Sequence, residues 1–148
     1  NDPEVTNYLK IKQTTAADLV EYIQDTLKSA DCIFFGIFWR DSNKHIGNIK
    51  LELIDFKKSS ARVGLMIGNK NYWGKGVATE AINIITKYAF EILQLKEVNL
   101  GVASGNQAAI KVYEKCGFKV YQIEPGAIDY CDKVYDQILM KKINQDVL

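Results

Sequence analysis

Tyr72-Trp73-Gly74-Lys75-Gly76-Val77-Ala78-Thr79-Glu80-Ala81 is the stretch that decides how this chain is read. Two glycines stand where a strand pattern ends and a helical period begins, so the backbone there can approach a ligand closely. From Lys75 to Leu93 the period is helical. Glu80, Asn83, Lys87 and Glu91 form a polar stripe, and Val77, Ala81, Ile85 and Ile92 are expected away from it. The free N–H groups of the first turn, helped by the helix dipole, make an anion site suited to phosphate or pyrophosphate. The spacing is not that of a P-loop, and the third glycine of a dinucleotide fingerprint is missing. Taken alone, a glycine pair at such a turn is more often plain structure than a ligand site.

Upstream of this stretch the period is two. Arg62, Gly64, Met66 and Gly68 alternate with Val63, Leu65 and Ile67, and Ile46 to Ile54 alternates with Ile49, Leu51 and Leu53 on one face. Cys32 to Arg40 is a β-branched and aromatic run, expected as a strand buried on both faces. Short polar clusters separate these runs, which predicts three antiparallel strands. Before them, Asp2-Pro3-Glu4-Val5 reads as a helix start, and Thr15-Ala16-Ala17-Asp18 opens a second helix running to about Ser29.

Downstream, Glu97 to Ala103 reads as a strand and Asn106 to Cys116 as a helix, ended by Gly117 as a left-handed cap with Phe118 folding back. Two strands come after it, Phe118 to Glu124 and Val134 to Ile143, around a loop containing Pro125-Gly126. The order αα-βββ-α-β-α-ββ predicts an α/β (α+β) fold: a mixed, mostly antiparallel sheet with helices on both faces. Asn106 and Tyr113 are two helical turns apart, on one face and about 10 Å from each other. Such a pair can contact two parts of an extended ligand, although spacing alone favours a helix cap and a core tyrosine.

Together, the Tyr72–Ala81 stretch and Asn106…Tyr113-Glu114-Lys115-Cys116-Gly117-Phe118 resemble the two ligand-binding motifs of the GNAT acetyltransferase superfamily, and their separation fits as well. The likeness is closest to the branch containing the ribosomal-protein alanine acetyltransferases. It implies an N-acetyltransferase that moves the acetyl group of acetyl-CoA onto a primary amine by direct attack in a ternary complex. In such proteins a first strand precedes the segment beginning at Asn1, so residues 1–148 are expected to form one domain lacking about one N-terminal strand.

The resemblance also implies roles. Gly74, Lys75, Gly76, Val77, Ala78 and Thr79 would cradle the CoA pyrophosphate. Met66, Ile67 and Gly68 would pair with the pantetheine arm, with an N–H near Met66 stabilising the oxyanion. Asn106 would hydrogen-bond the pantetheine, and Tyr113 would protonate the departing thiolate, being itself protonated at neutral pH. Trp73 stands where the superfamily motif commonly begins with Gln or Arg. Arg62 stands where some relatives carry a glutamate base, which leaves Glu52 as the first candidate, ahead of His45 and Glu80. Cys116 is expected to be inert packing.

Composition narrows the rest. Nineteen basic and eighteen acidic residues leave a net charge of +1, with no basic excess for nucleic acid. The longest apolar runs are too short to cross a bilayer, and no signal peptide is read, so a cytoplasmic location is expected. Three cysteines and one histidine lack metal-ligand spacing, so no metal is expected. Tyr121, Tyr130 and Tyr135 with Asp129 and Asp132, around the last loop, hint at a cationic acceptor. The acceptor itself, a protein N-terminus or a small-molecule amine, stays open, as does monomer against homodimer. So does the rival reading of a domain that only binds or senses acyl-CoA, or one that binds nucleotide phosphate through the glycine loop.

Overall fold

The computed structural model describes residues 2–6, 15–130 and 132–147. Its elements are α1 (Pro3–Thr6), α2 (Ala16–Lys28), β1 (Ile33–Trp39), β2 (Lys44–Asp55), β3 (Ser60–Ile67), α3 (Val77–Lys87), β4 (Glu97–Ala103), α4 (Gln107–Lys115), β5 (Lys119–Tyr130) and β6 (Lys133–Ile143). This is the expected order. The six strands form one sheet, β1-β2-β3-β4-β6-β5, antiparallel except where β3 meets β4.

Local chemistry accounts for most element ends. Asp2 Oδ1 accepts the Glu4 N–H at the start of α1 (3.0 Å). Thr15 and Asp18 form a reciprocal capping box at the start of α2. Gly117, at φ 88°, closes α4: its N–H donates to the Glu114 carbonyl and that of Phe118 to the Tyr113 carbonyl. The Phe118 ring returns to within 6.2 Å of the Tyr113 ring, which completes the motif with its apolar contact.

The core lies on one face. Leu51, Val63, Val98, Leu100 and Met140 of the sheet pack with Ile82, Ile85 and Ala89 of the α3 segment and Ile110 of α4. The other face carries α2, which buries none of its residues and is pinned by Tyr22, whose hydroxyl accepts from Lys50 Nζ at 3.0 Å.

Four expectations need correcting. β1 is not buried on both faces. It is an edge strand, with Phe35 and Phe38 exposed, and a groove of about 700 Å³ runs between it and α3. Leu53 is 60% exposed because a bulge between Glu52 and Asp55 gives it φ 51° and turns it off the face of Ile49 and Leu51. Ile92 is 65% exposed because Tyr88–Ile92 is a π turn, and one extra residue per turn rotates the stripe out of phase. Pro125-Gly126 is not a loop but lies in a bulge within β5. Gly126 takes φ 61° and donates its N–H to Asp136 Oδ1 (3.0 Å), and Pro125 has no N–H to waste there. The Asp132 turn joins the two strands.

Candidate active site

β3 and β4 pair over only three rungs, Ser60 with Glu97, Ala61 with Val98 and Arg62 with Asn99. Beyond Arg62 the strands continue without pairing, and the sheet opens as a wedge between Val63–Ile67 and Leu100–Ala103. Ser59 faces β4, its carbonyl accepting from Lys96 and Glu97. Strand alternation from there turns the main-chain groups of Val63 and Leu65 into the wedge as well. Leu65 therefore joins Met66, Ile67 and Gly68 as a candidate contact for an extended ligand. Sequence reading missed it because its side chain belongs to the core stripe, and only pairing shows where its peptide groups point.

The glycine loop sits at the wedge mouth. Gly74 and Gly76 have φ 72° and 80°, and a Cβ on either would meet nothing within 4 Å. Gly76 is the N-cap of α3 and offers no capping side chain, so the first-turn N–H groups of Val77, Ala78 and Thr79 are left for a ligand. Trp73 explains its own presence: its indole N–H donates to the Ile67 carbonyl at 2.8 Å and ties the loop to the end of β3. The Lys75 ammonium lies 5.3 Å from the Tyr72 ring centre and 5.8 Å from that of Trp39, whose rings are 4.9 Å apart. This clasp joins the loop to β1. Nothing in the local sequence announces it, since Trp39 is more than thirty residues away.

Across the wedge, Asn106 caps α4, with Oδ1 accepting from the Ala109 N–H at 3.2 Å. Its Nδ2 has no partner among the described residues, so a ligand would meet Asn106 as a donor. Tyr113 packs against the core, and burial, reinforced slightly by Cys116, pushes its phenol up to about 12. Cys116 is 4% exposed, its Sγ 3.7 Å from the Thr79 carbonyl oxygen, and burial pushes its thiol up, as inert packing requires.

The candidate bases fall apart in space. Glu52 stands opposite Arg62 on the α2 face, its carboxylate engaged by Lys50. Burial draws Lys50 down, but bonds to Glu52 and Tyr22 outweigh this and hold its ammonium above the usual range. His45 is exposed at the β1–β2 turn, 2.8 Å from Asn48 Oδ1, and Glu80 is exposed on α3. The aromatic and acidic group expected around the last loop does not assemble. Asp129 and Asp132 are exposed at the hairpin tip, Tyr121 lies under Lys141 further along β5, and the Tyr130 side chain falls outside the described residues. Among the described residues no cluster of side chains suits a metal ion.

A wedge between two strands, with a glycine loop and a bare helix N-terminus at its mouth, agrees with what known proteins show. Residues 1–119 match the family model for the acetyltransferase (GNAT) domain. The chain belongs to the GNAT acetyltransferase family. It is 31% identical over 123 residues to an uncharacterised N-acetyltransferase, p20, of Bacillus licheniformis, a match covering 80% of this chain and 68% of that protein. Over 79 residues it is 38% identical to a spermidine N(1)-acetyltransferase of Vibrio cholerae, covering 53% of this chain and 45% of that one. The GNAT fold recurs in the crystal structure of spermidine N-acetyltransferase from Vibrio cholerae in complex with CoA and spermine. That structure superposes with a TM-score of 0.88 over 97% of this chain and 84% of that one, at 24% identity. No described helix is long and apolar enough to cross a membrane.

Proposed function

We propose that this GNAT domain transfers the acetyl group of acetyl-CoA to a primary amine, of a small molecule or a protein N-terminus, by direct attack with both substrates bound. Family membership and the N-acetyltransferases among its relatives support acetyl transfer to an amine. The observation that carries the reading in this chain is the wedge with the open loop at its mouth. Its free space, unpaired strand edges and bare helix N-terminus fit a ligand with a phosphorylated end and a narrow amide-bearing arm.

The residues then take roles. Backbone groups of Gly74–Thr79 hold the pyrophosphate; Leu65 to Gly68 align the arm; Asn106 donates to one of its carbonyls. Acetyl-CoA supplies an activated thioester. Tyr113, kept protonated by its surroundings, delivers a proton to the departing sulfur. Glu52, beside the last paired rung on the α2 face, is the candidate that relieves the amine of its proton, and a Glu52→Gln change that left kcat unaltered would remove it from that role.

The strand expected before residue 1 belongs to the same proposal. The outer edge of β1 has no partner among the described residues, and the apolar groove beside it is what such a strand would cover. A cytoplasmic location, with the protein a monomer or homodimer, goes with this reading.

The test is CoA thiol release from acetyl-CoA with short peptides, polyamines, amino sugars and aminoglycosides. Release above background with one class names the acceptor. A Tyr113→Phe variant that binds CoA normally but fails to turn over separates this reading from a domain that only binds acyl-CoA.

A further inference from the structure

The sheet face under α2 carries two ion pairs, Lys50 with Glu52 and Lys141 with Glu97 (3.2 Å). Arg62 stands between them, on the rung that runs from Glu52 through Arg62 and Asn99 to Lys141. It is half-buried and has neither ion pair nor hydrogen bond among the described residues. A guanidinium withdrawn from water without a counter-ion is costly unless a ligand supplies one.

A second group of donors points to the same spot. A Cβ built on Gly101 would lie 2.9 Å from Arg62 Nη2 and 2.5 Å from Gln137 Nε2. The guanidinium and the amide therefore converge over bare glycine backbone, and Gln137 Nε2 also lacks a hydrogen-bond acceptor among the described residues. Gly101 lies just past the last paired rung, at the closed end of the wedge. Two unpaired donors directed at one point suit an oxyanion, which a planar guanidinium grips in two places. They do not suit a second ammonium, which Arg62 would repel.

We propose that the acceptor is a small amine that also carries an anionic group, a carboxylate or phosphate, held by Arg62 and Gln137. This rests on the wedge being the transfer site, and it makes a polyamine a poor acceptor for this chain.

The experiment uses matched amines: glucosamine against glucosamine 6-phosphate, tyramine against tyrosine, and 1,5-diaminopentane against 5-aminopentanoate. Binding to the CoA-loaded protein is measured by calorimetry, and turnover by thiol release. The anionic member of at least one pair should bind on the order of ten- to a hundredfold more tightly, the range expected of a charge-assisted contact. Which pair responds tells phosphate from carboxylate. Arg62→Gln should erase that preference while leaving the affinity for CoA unchanged, and Gln137→Leu should weaken it less. Anionic and neutral amines binding equally well would overturn the proposal, even if every one were acetylated. So would an Arg62→Gln variant that keeps the preference, or one that loses CoA instead. Absence of turnover with all six amines, despite selective anion binding, would count against acetyl transfer and not against the anion site.

Discussion

The two faces of the sheet are built on opposite principles. Under α3 and α4 the face is dry: Leu51, Ile82, Leu95, Val98, Leu100 and Met140 are each no more than 2% exposed. Under α2 it is wet and charged, with Lys50, Glu52, Arg62, Glu97 and Lys141 on neighbouring strands and a covering helix that buries nothing. Apolar burial is the main favourable term in folding, and half-exposed ion pairs add little. The dry face therefore holds the molecule together, while the wet one is free to hold a ligand. Tyr113 joins the two, because its packing against the dry core keeps the phenol protonated for use at the wedge.

The strongest way to break this contrast is Leu100→Ala, on the dry face beside the wedge. It should cost about 2–5 kcal/mol, read by thermal or denaturant unfolding. A loss under about 1 kcal/mol would mean that the face is not the one sustaining the fold. Next is Tyr113→Phe, which should lower kcat by on the order of a hundredfold with little change in CoA affinity. Tyr113 also predicts a pH dependence. Its phenol lies at about 12 in the folded chain against an ordinary 10, so the fold disfavours ionisation. Stability should be untouched by this group below pH 10 and fall as pH rises from there through 12. No alkaline loss of kcat from this acid should appear between pH 7 and 10.

Two smaller changes sharpen the comparison. Lys50→Met, on the wet face, should shift stability by no more than about 1 kcal/mol, because the pair it breaks is partly solvated. Thr86 is the exception on the dry face: its hydroxyl is buried without a hydrogen-bond partner among the described residues. Thr86→Val keeps the shape and removes that group, so unfolding should show no loss and a gain of up to about 1 kcal/mol.

The parts legible in advance are those set by neighbours along the chain. The Thr15–Asp18 box, the Gly117 cap and the alternation of Val63 and Leu65 each depend on residues within a few positions. The parts misread depend on register. Leu53 continues an apolar alternation perfectly until a bulge turns it out, Ile92 continues a helical stripe until the π turn shifts it, and Pro125-Gly126 has loop composition but sits in a strand that Asp136 stitches. A single inserted residue in a ladder or turn reverses the facing of the residues after it, and period counting has no means to register it.

For the site, the sequence by itself determined the glycine loop, the helix it opens and the Asn106–Tyr113 helix, because glycine freedom, capping and helical spacing are local. Only the tertiary structure decided that β3 and β4 part after Arg62, that Trp39 reaches Lys75, and that Arg62 and Gln137 meet over Gly101. Those are contacts between strands far apart in sequence, and their geometry comes from how the whole sheet pairs, which no short stretch of chain encodes.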